Sequence, residues 1–157
     1  MVQRMTEMKK RVVLSVAAAL LMGSTIVGAA DAEESIEYRQ NVFSVMKWHF
    51  GPMGGMVKGK IDFDAEDFSR RAALIAALAK MPKEGFAEGT DMGETRAKSE
   101  IWENKEKFDG GMDAMVEKAD ALAEVAKSGD LDQIKPAFGA LAKTCKGCHD
   151  NFREESK

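Results

Sequence analysis

From about residue 33 onward, apolar side chains recur at intervals of three and four, the spacing of one face of an α-helix. No run alternates in the way of a half-buried strand. The first helix is expected to begin near Glu33 or Ser35, with a stripe of Ile36, Phe43, Met46, Phe50, Met53 and Val57. Gly51-Pro52 should kink it, since proline lacks the N–H and clashes with the preceding turn. Asp62 or Asp64 can cap a second helix, with Phe68, Ile75 and Leu78 on its buried side and Met81-Pro82 as its end. Residues 81–99 then form a long connection punctuated by Pro82, Gly85, Gly89 and Gly93, a length that in compact domains often goes with function.

A third helix follows the series Ile101, Lys105, Phe108, Met112, Met115, Ala119, Leu122, Ala126, broken only by Lys105. Glu103 and Lys107 are spaced as a favourable i, i+4 pair on its outer face. Ser128-Gly129-Asp130 makes the turn into a fourth helix over about Leu131 to Glu154, from which Pro136 is expected to split a short first turn. Its stripe is Ile134, Phe138, Leu141, Cys145, Cys148, Phe152. Four amphipathic helices joined by modest loops predict an all-α, antiparallel four-helix bundle.

The first 32 residues read differently. Arg4, Lys9, Lys10 and Arg11 precede a short apolar core, Val12 to Met22, and the small-residue site Ala30-Asp31-Ala32. This is the layout of a cleaved export signal rather than a membrane span. The expected division is therefore a signal peptide over 1–32 and one domain over 33–157. The leader carries four positive and two negative charges, so its removal takes the net charge from −3 to −5. An acidic domain without a basic run is a poor partner for nucleic acid.

The chain has two cysteines, and both lie in Cys145-Lys146-Gly147-Cys148-His149. In a CxxCH box each thiol can add across a haem vinyl group, and the histidine is placed to ligate the iron. Both cysteines share the apolar stripe, so the macrocycle would be driven into the bundle interior. A thioredoxin-like pair would follow a strand, which is missing here. A disulfide within one helical turn would constrain little of the unfolded chain. A zinc site lacks ligands, since His49 is the only other histidine. Export and CxxCH together point to a bacterial periplasm, with one covalent haem c per chain.

Position and context extend this reading. The box lies eight residues from the end, Tyr38-Arg39-Gln40 opens the first helix, and Glu100-Ile101-Trp102 opens the third. With Cys145 to Arg153, these segments resemble the class II c-type cytochromes, the cytochrome c prime family; class I proteins carry the box near the N-terminus instead. The resemblance covers essentially the whole mature chain. It implies a haem between the helices with His149 as proximal ligand, Arg39 and Gln40 against the haem and its propionates, Thr95 near the haem edge, and Arg153 beside the proximal histidine.

In low-spin relatives the first helix supplies a methionine four residues after the arginine. Here that position is Phe43. The resemblance therefore implies five-coordinate, high-spin iron with Phe43 crowding the open face. The expected function is to bind NO or CO, to carry electrons, or both, with redox proteins as partners, no membrane contact after cleavage, and a homodimer formed through the first two helices. The Met53-Gly54-Gly55-Met56-Val57 stretch is expected to be exposed and to serve that contact or fray. One alternative is a low-spin carrier with Met46 or His49 as sixth ligand; another is a bundle without haem whose dithiol is incidental. No paired carboxylates, nucleophile–base set or phosphate loop points to an enzyme.

Overall fold

The computed structural model describes residues 29–155. The expected leader lies almost wholly outside them. Four long helices run α1 Ala29–Val57, α2 Ala65–Leu78, α3 Lys105–Ala126 and α4 Leu131–Phe152. A 3-10 turn, Pro82–Gly85, and a single helical turn, Glu100–Glu103, punctuate the connection between α2 and α3. Among the described residues no helix is long and apolar enough to cross a membrane.

Local chemistry explains most boundaries. Asp64, rather than Asp62, caps α2 by accepting a 2.9 Å hydrogen bond from the Asp67 N–H. Asp130 caps α4 by accepting from the N–H groups of Asp132 and Gln133. Gly59 and Gly129 adopt φ of 65° and 67° just beyond α1 and α3, where a left-handed residue ends the helix.

Several expectations are corrected. α1 begins at Ala29, four residues before Glu33, and α4 runs through Pro136 with no first turn split off; α1 continues past Pro52 to Val57, as its stripe implied. Each proline forfeits one backbone hydrogen bond, and the cooperative helix on either side carries it. The third helix is interrupted at Asn104, whose φ of −123° and ψ of 47° are not helical. The spacing of Glu103 and Lys107 therefore loses its helical meaning, and Lys107 Nζ instead donates to Asn151 Oδ1 at 2.9 Å. The stretch at the end of α1 is not exposed: Met53 and Met56 are 0% and 5% accessible.

One end of the bundle is closed by its own side chains. Phe68 lies 6.3 Å from Phe138, centroid to centroid, and Phe50 stacks on Phe138 at 4.4 Å. Met53, Ala119, Leu122 and Ile134 complete that end, each fully buried. Taken over their whole lengths α1 and α4 scarcely touch, while α3 packs on both α2 and α4. Their separation leaves a cavity between them.

Candidate haem pocket

The cavity has a volume of about 800 Å³, and its wall is mainly apolar. Phe43, Met46 and Phe50 of α1 face Met112 and Met115 of α3, with Leu141, Cys145 and Cys148 of α4 beside them. A site of this size suits a large organic group, since such pockets commonly measure about 300–1,000 Å³.

Helical register accounts for the α4 wall. Leu141, Cys145, Cys148 and Phe152 recur at four, three and four residues, so one face of α4 carries them all. Both cysteines are free and half-buried. Burial pushes both thiols up from their ordinary value, and the neighbouring Cys145 adds to the effect on Cys148. A thioredoxin-like pair requires the reverse, a stabilised thiolate. Among the described residues no three His, Cys, Asp or Glu side chains converge as they would around a metal ion.

His149 lies at the cavity with Arg153 Nη1 3.4 Å from its Nε2. Burial, then the charge of Arg153, holds the imidazole below its usual value, with Arg96 adding to the effect and Asp150 opposing it. The ring is thereby kept neutral near pH 7, the state that ligates metals. Arg153 is placed by two restraints: its N–H donates to the His149 carbonyl at 3.1 Å, and its backbone pairs with Ala97 in an antiparallel bridge.

The connection between α2 and α3 forms the rim. Gly85 presses against α1 so closely that a Cβ there would lie 2.9 Å from Arg39 Cβ and 3.0 Å from the Ser35 carbonyl oxygen. Gly93 has a φ of 125°, a conformation side chains rarely adopt. Tyr38 donates its hydroxyl to Glu84, and Trp102 Nε1 donates to the Ala87 carbonyl at 2.9 Å, fastening the connection to α1 and to the turn before α3. Gln40 Nε2 donates to the Glu94 carbonyl at 2.7 Å.

Arg39 is the unusual residue of the rim. It is 1% exposed, its guanidinium carbon sits 4.4 Å from the Phe86 ring centre, and no carboxylate pairs with it among the described residues. Burial lowers its pKa to about 10, so it remains charged at neutral pH. A buried cation without a carboxylate suits a group that brings an anion of its own.

Arg39, Gln40, Phe43, Thr95, Cys145, Cys148, His149 and Arg153 thus all surround one cavity. Met46 lines it too, whereas His49 does not. His49 turns toward α2, where Arg71, Arg70 and Asp67 act on it. Sequence reasoning missed Phe86, Thr90, Lys47 and Arg96. Phe86 and Thr90 are buried within an irregular connection, where periodicity gives no signal. Lys47 and Arg96 line the cavity but read as ordinary solvated cations.

Comparison with known proteins agrees with this geometry. The family model described as Cytochrome C' matches residues 34–153. The cytochrome c' of Halomonas halodenitrificans is 42% identical over 132 residues, 80% of this chain and all of that protein. The solved cytochrome c prime of Shewanella frigidimarina is 48% identical, with a TM-score of 0.77 over 79% of this chain and 97% of its own. A nitric oxide complex of a variant of the Alcaligenes xylosoxidans protein superposes with a TM-score of 0.74 at 33% identity, covering 80% of this chain and 97% of that one. A carbon-monoxide-bound variant of the same protein superposes equally well. With a wall for a large apolar group, a paired thiol and histidine at one end, and relatives matched over nearly the whole fold, the chain belongs to the cytochrome c' family.

Proposed function

We propose that this protein is a periplasmic haem carrier whose iron keeps its sixth position free of protein ligands, and that it binds NO or CO, passes electrons, or does both. The observation that carries the reading is the pairing of an apolar α1 wall with the CxxCH face of α4 across one cavity. Haem carriers of this family are not enzymes, and no catalytic constellation is invoked.

When bound, the haem supplies a redox-active iron that takes up diatomic ligands. The chain's residues do the rest. Cys145 and Cys148 would hold the macrocycle, each thiol adding across a vinyl group. His149, kept neutral by burial and Arg153, offers a ring nitrogen to the iron. Arg39 and Gln40 would meet the haem propionates and Thr95 would lie near its edge, while Arg153 would stand beside the ligating His149. Phe43 sits 6.4 Å from Phe86, centroid to centroid, and is held over the α1 side of the cavity. Apolar neighbours there favour neutral ligands, which need no hydrogen-bond donor.

A low-spin alternative survives in one form. Met46 is 8% exposed and lines the cavity, so its thioether is available to it, whereas His49 faces α2. The optical spectrum of periplasmically matured, dithionite-reduced protein separates the two. A broad high-spin Soret band that sharpens with CO is expected. A sharp spectrum indifferent to CO would transfer the reading to a Met46-ligated electron carrier. The third possibility, an incidental dithiol, predicts matured protein without covalent haem.

The homodimer is proposed through the first two helices, at exposed side chains other than the buried Met53 and Met56. Val45 and Trp48 of α1 are 45% and 75% exposed, and Leu74 of α2 is 37% exposed. A second copy covering these side chains would remove apolar area from water. Light scattering of wild type and Trp48→Glu should give a dimer and a monomer respectively; a wild-type monomer would end this part of the reading.

A further inference from the structure

Among the described residues no carboxylate pairs with Arg39, and the residue that holds it most completely is Thr90. Both terminal nitrogens of the guanidinium are engaged by the α2–α3 connection. Nη1 donates to the Gly85 carbonyl at 2.8 Å and to Thr90 Oγ1 at 2.9 Å. Nη2 donates to the Thr90 carbonyl at 2.8 Å and to Thr95 Oγ1 at 3.1 Å. Thr90 therefore grips both nitrogens. Its own hydroxyl proton goes to the Ala87 carbonyl at 2.8 Å, so a lone pair is left facing Arg39.

Thr90 is 0% exposed and does not line the cavity, so it does not meet the cavity's occupant directly. Phe86 and Trp102 close the aromatic side of the guanidinium, at 4.4 and 5.6 Å from its carbon to the ring centres. Every acceptor in this set is neutral. These protein contacts fix the place of the charge without cancelling it, so an acid group of the haem would meet a cation already held in position, and away from bulk water such a charge acts over a few ångströms.

We propose that Thr90, joined at the rim by Thr95, is a positioning residue that pins Arg39 as a fixed positive charge and thereby raises the reduction potential of the haem in this cavity. The proposal rests on the haem reading above. The sign follows from charge alone: reduction adds an electron, and a nearby cation favours the reduced state. Loss of the Thr90 hydroxyl removes one acceptor of Nη1 while the Thr90 carbonyl still accepts from Nη2; the loosened guanidinium moves more freely and is better screened, which weakens that preference.

The experiment is spectroelectrochemical titration of holoprotein matured in the periplasm. Covalent haem in wild type is established first by the pyridine haemochrome spectrum; its absence would defeat the haem reading itself. With haem attached, Thr90→Val is expected to lower the midpoint potential and to make it more sensitive to salt, and Thr90→Ser, which keeps the hydroxyl, to restore the wild-type value. In an Arg39→Gln background, Thr90→Val should shift the potential no further. A Thr90→Val protein that loses stability yet keeps the wild-type potential would overturn the proposal, as would additive shifts in the double variant. Should Thr90→Val fail to accumulate, Thr95→Val at the half-buried rim removes the other hydroxyl acceptor of Arg39. It should lower the potential in the same direction, and an unchanged potential there would overturn the proposal equally.

Discussion

The two ends of this bundle use the same four helices and reach opposite outcomes. At one end Met53, Phe68, Leu122, Ile134 and Phe138 meet and fill the interior. At the other, Phe43, Met112, Leu141, Cys145 and Cys148 stand around about 800 Å³ of space. Apolar stripes of all four helices run into both ends, so amphipathicity alone does not separate them. The difference lies in how closely α1 approaches α4. The Phe50–Phe138 stack brings them together at the filled end, and beyond it the α2–α3 connection occupies the rim instead. A bundle can reserve a pocket by keeping two helices apart at one end.

The most severe way to break the contrast is at the cysteines. Cys148→Ala together with Cys145→Ala should abolish covalent haem, read as complete loss of the haem signal on a denaturing gel. Retention of that signal would sever the open end from its proposed purpose.

Next in size is a paired test of the two ends. Leu122→Ala, at a site 0% exposed, should cost about 2–5 kcal/mol of stability in urea unfolding and leave the haem spectrum unchanged. Met112→Ala, on the cavity wall, should alter the spectrum as well as stability. Spectral change in both, or in neither, would mean that the ends are not functionally distinct.

Phe43→Ala should speed CO binding, measured by flash photolysis. Its stability cost should fall below the about 3–5 kcal/mol typical of a buried phenylalanine, because the ring is only half-buried and borders the cavity. Unchanged CO kinetics would remove Phe43 as the gate.

The smallest expected effect is electrostatic and concerns α2. The Arg71 and Arg70 side chains hold the Asp67 carboxyl below its ordinary value of 3.8. A depressed carboxyl contributes stability that is present above the unfolded value and lost as pH falls through the folded one. Partly exposed pairs of this kind are worth at most about 1 kcal/mol. Asp67→Asn should therefore flatten the acid limb of the stability profile slightly below pH 4, and an identical limb would show that these pairs contribute nothing.

The site was legible in the sequence to an uneven degree. Cys145, Cys148 and His149 were readable because their chemistry and spacing lie within two turns of one helix. Phe43 was singled out by the resemblance, through its offset from Arg39, and it lines the cavity. The burial of Met53 and Met56 was misjudged because Gly54 and Gly55 look like a frayed end, whereas Phe138 packs within 3.5 Å of where a Gly54 Cβ would lie. Thr90 and Phe86 gave no signal at all. Their burial depends on the connection folding back against α1 at Gly85, a contact between residues 46 positions apart in the case of Arg39 and Gly85.

The sequence by itself determined the helices, the stripe that carries both thiols, and the family. Each follows from the 3.6-residue period or from a motif confined to a few residues, so short-range physics suffices. Only the tertiary structure decided that α1 and α4 part around the cavity, that Arg39 is sealed beneath Phe86 with no carboxylate partner among the described residues, and that Thr90 holds it. Those outcomes depend on long-range packing, where the cost of burying a charge is set by whatever distant segment arrives to meet it.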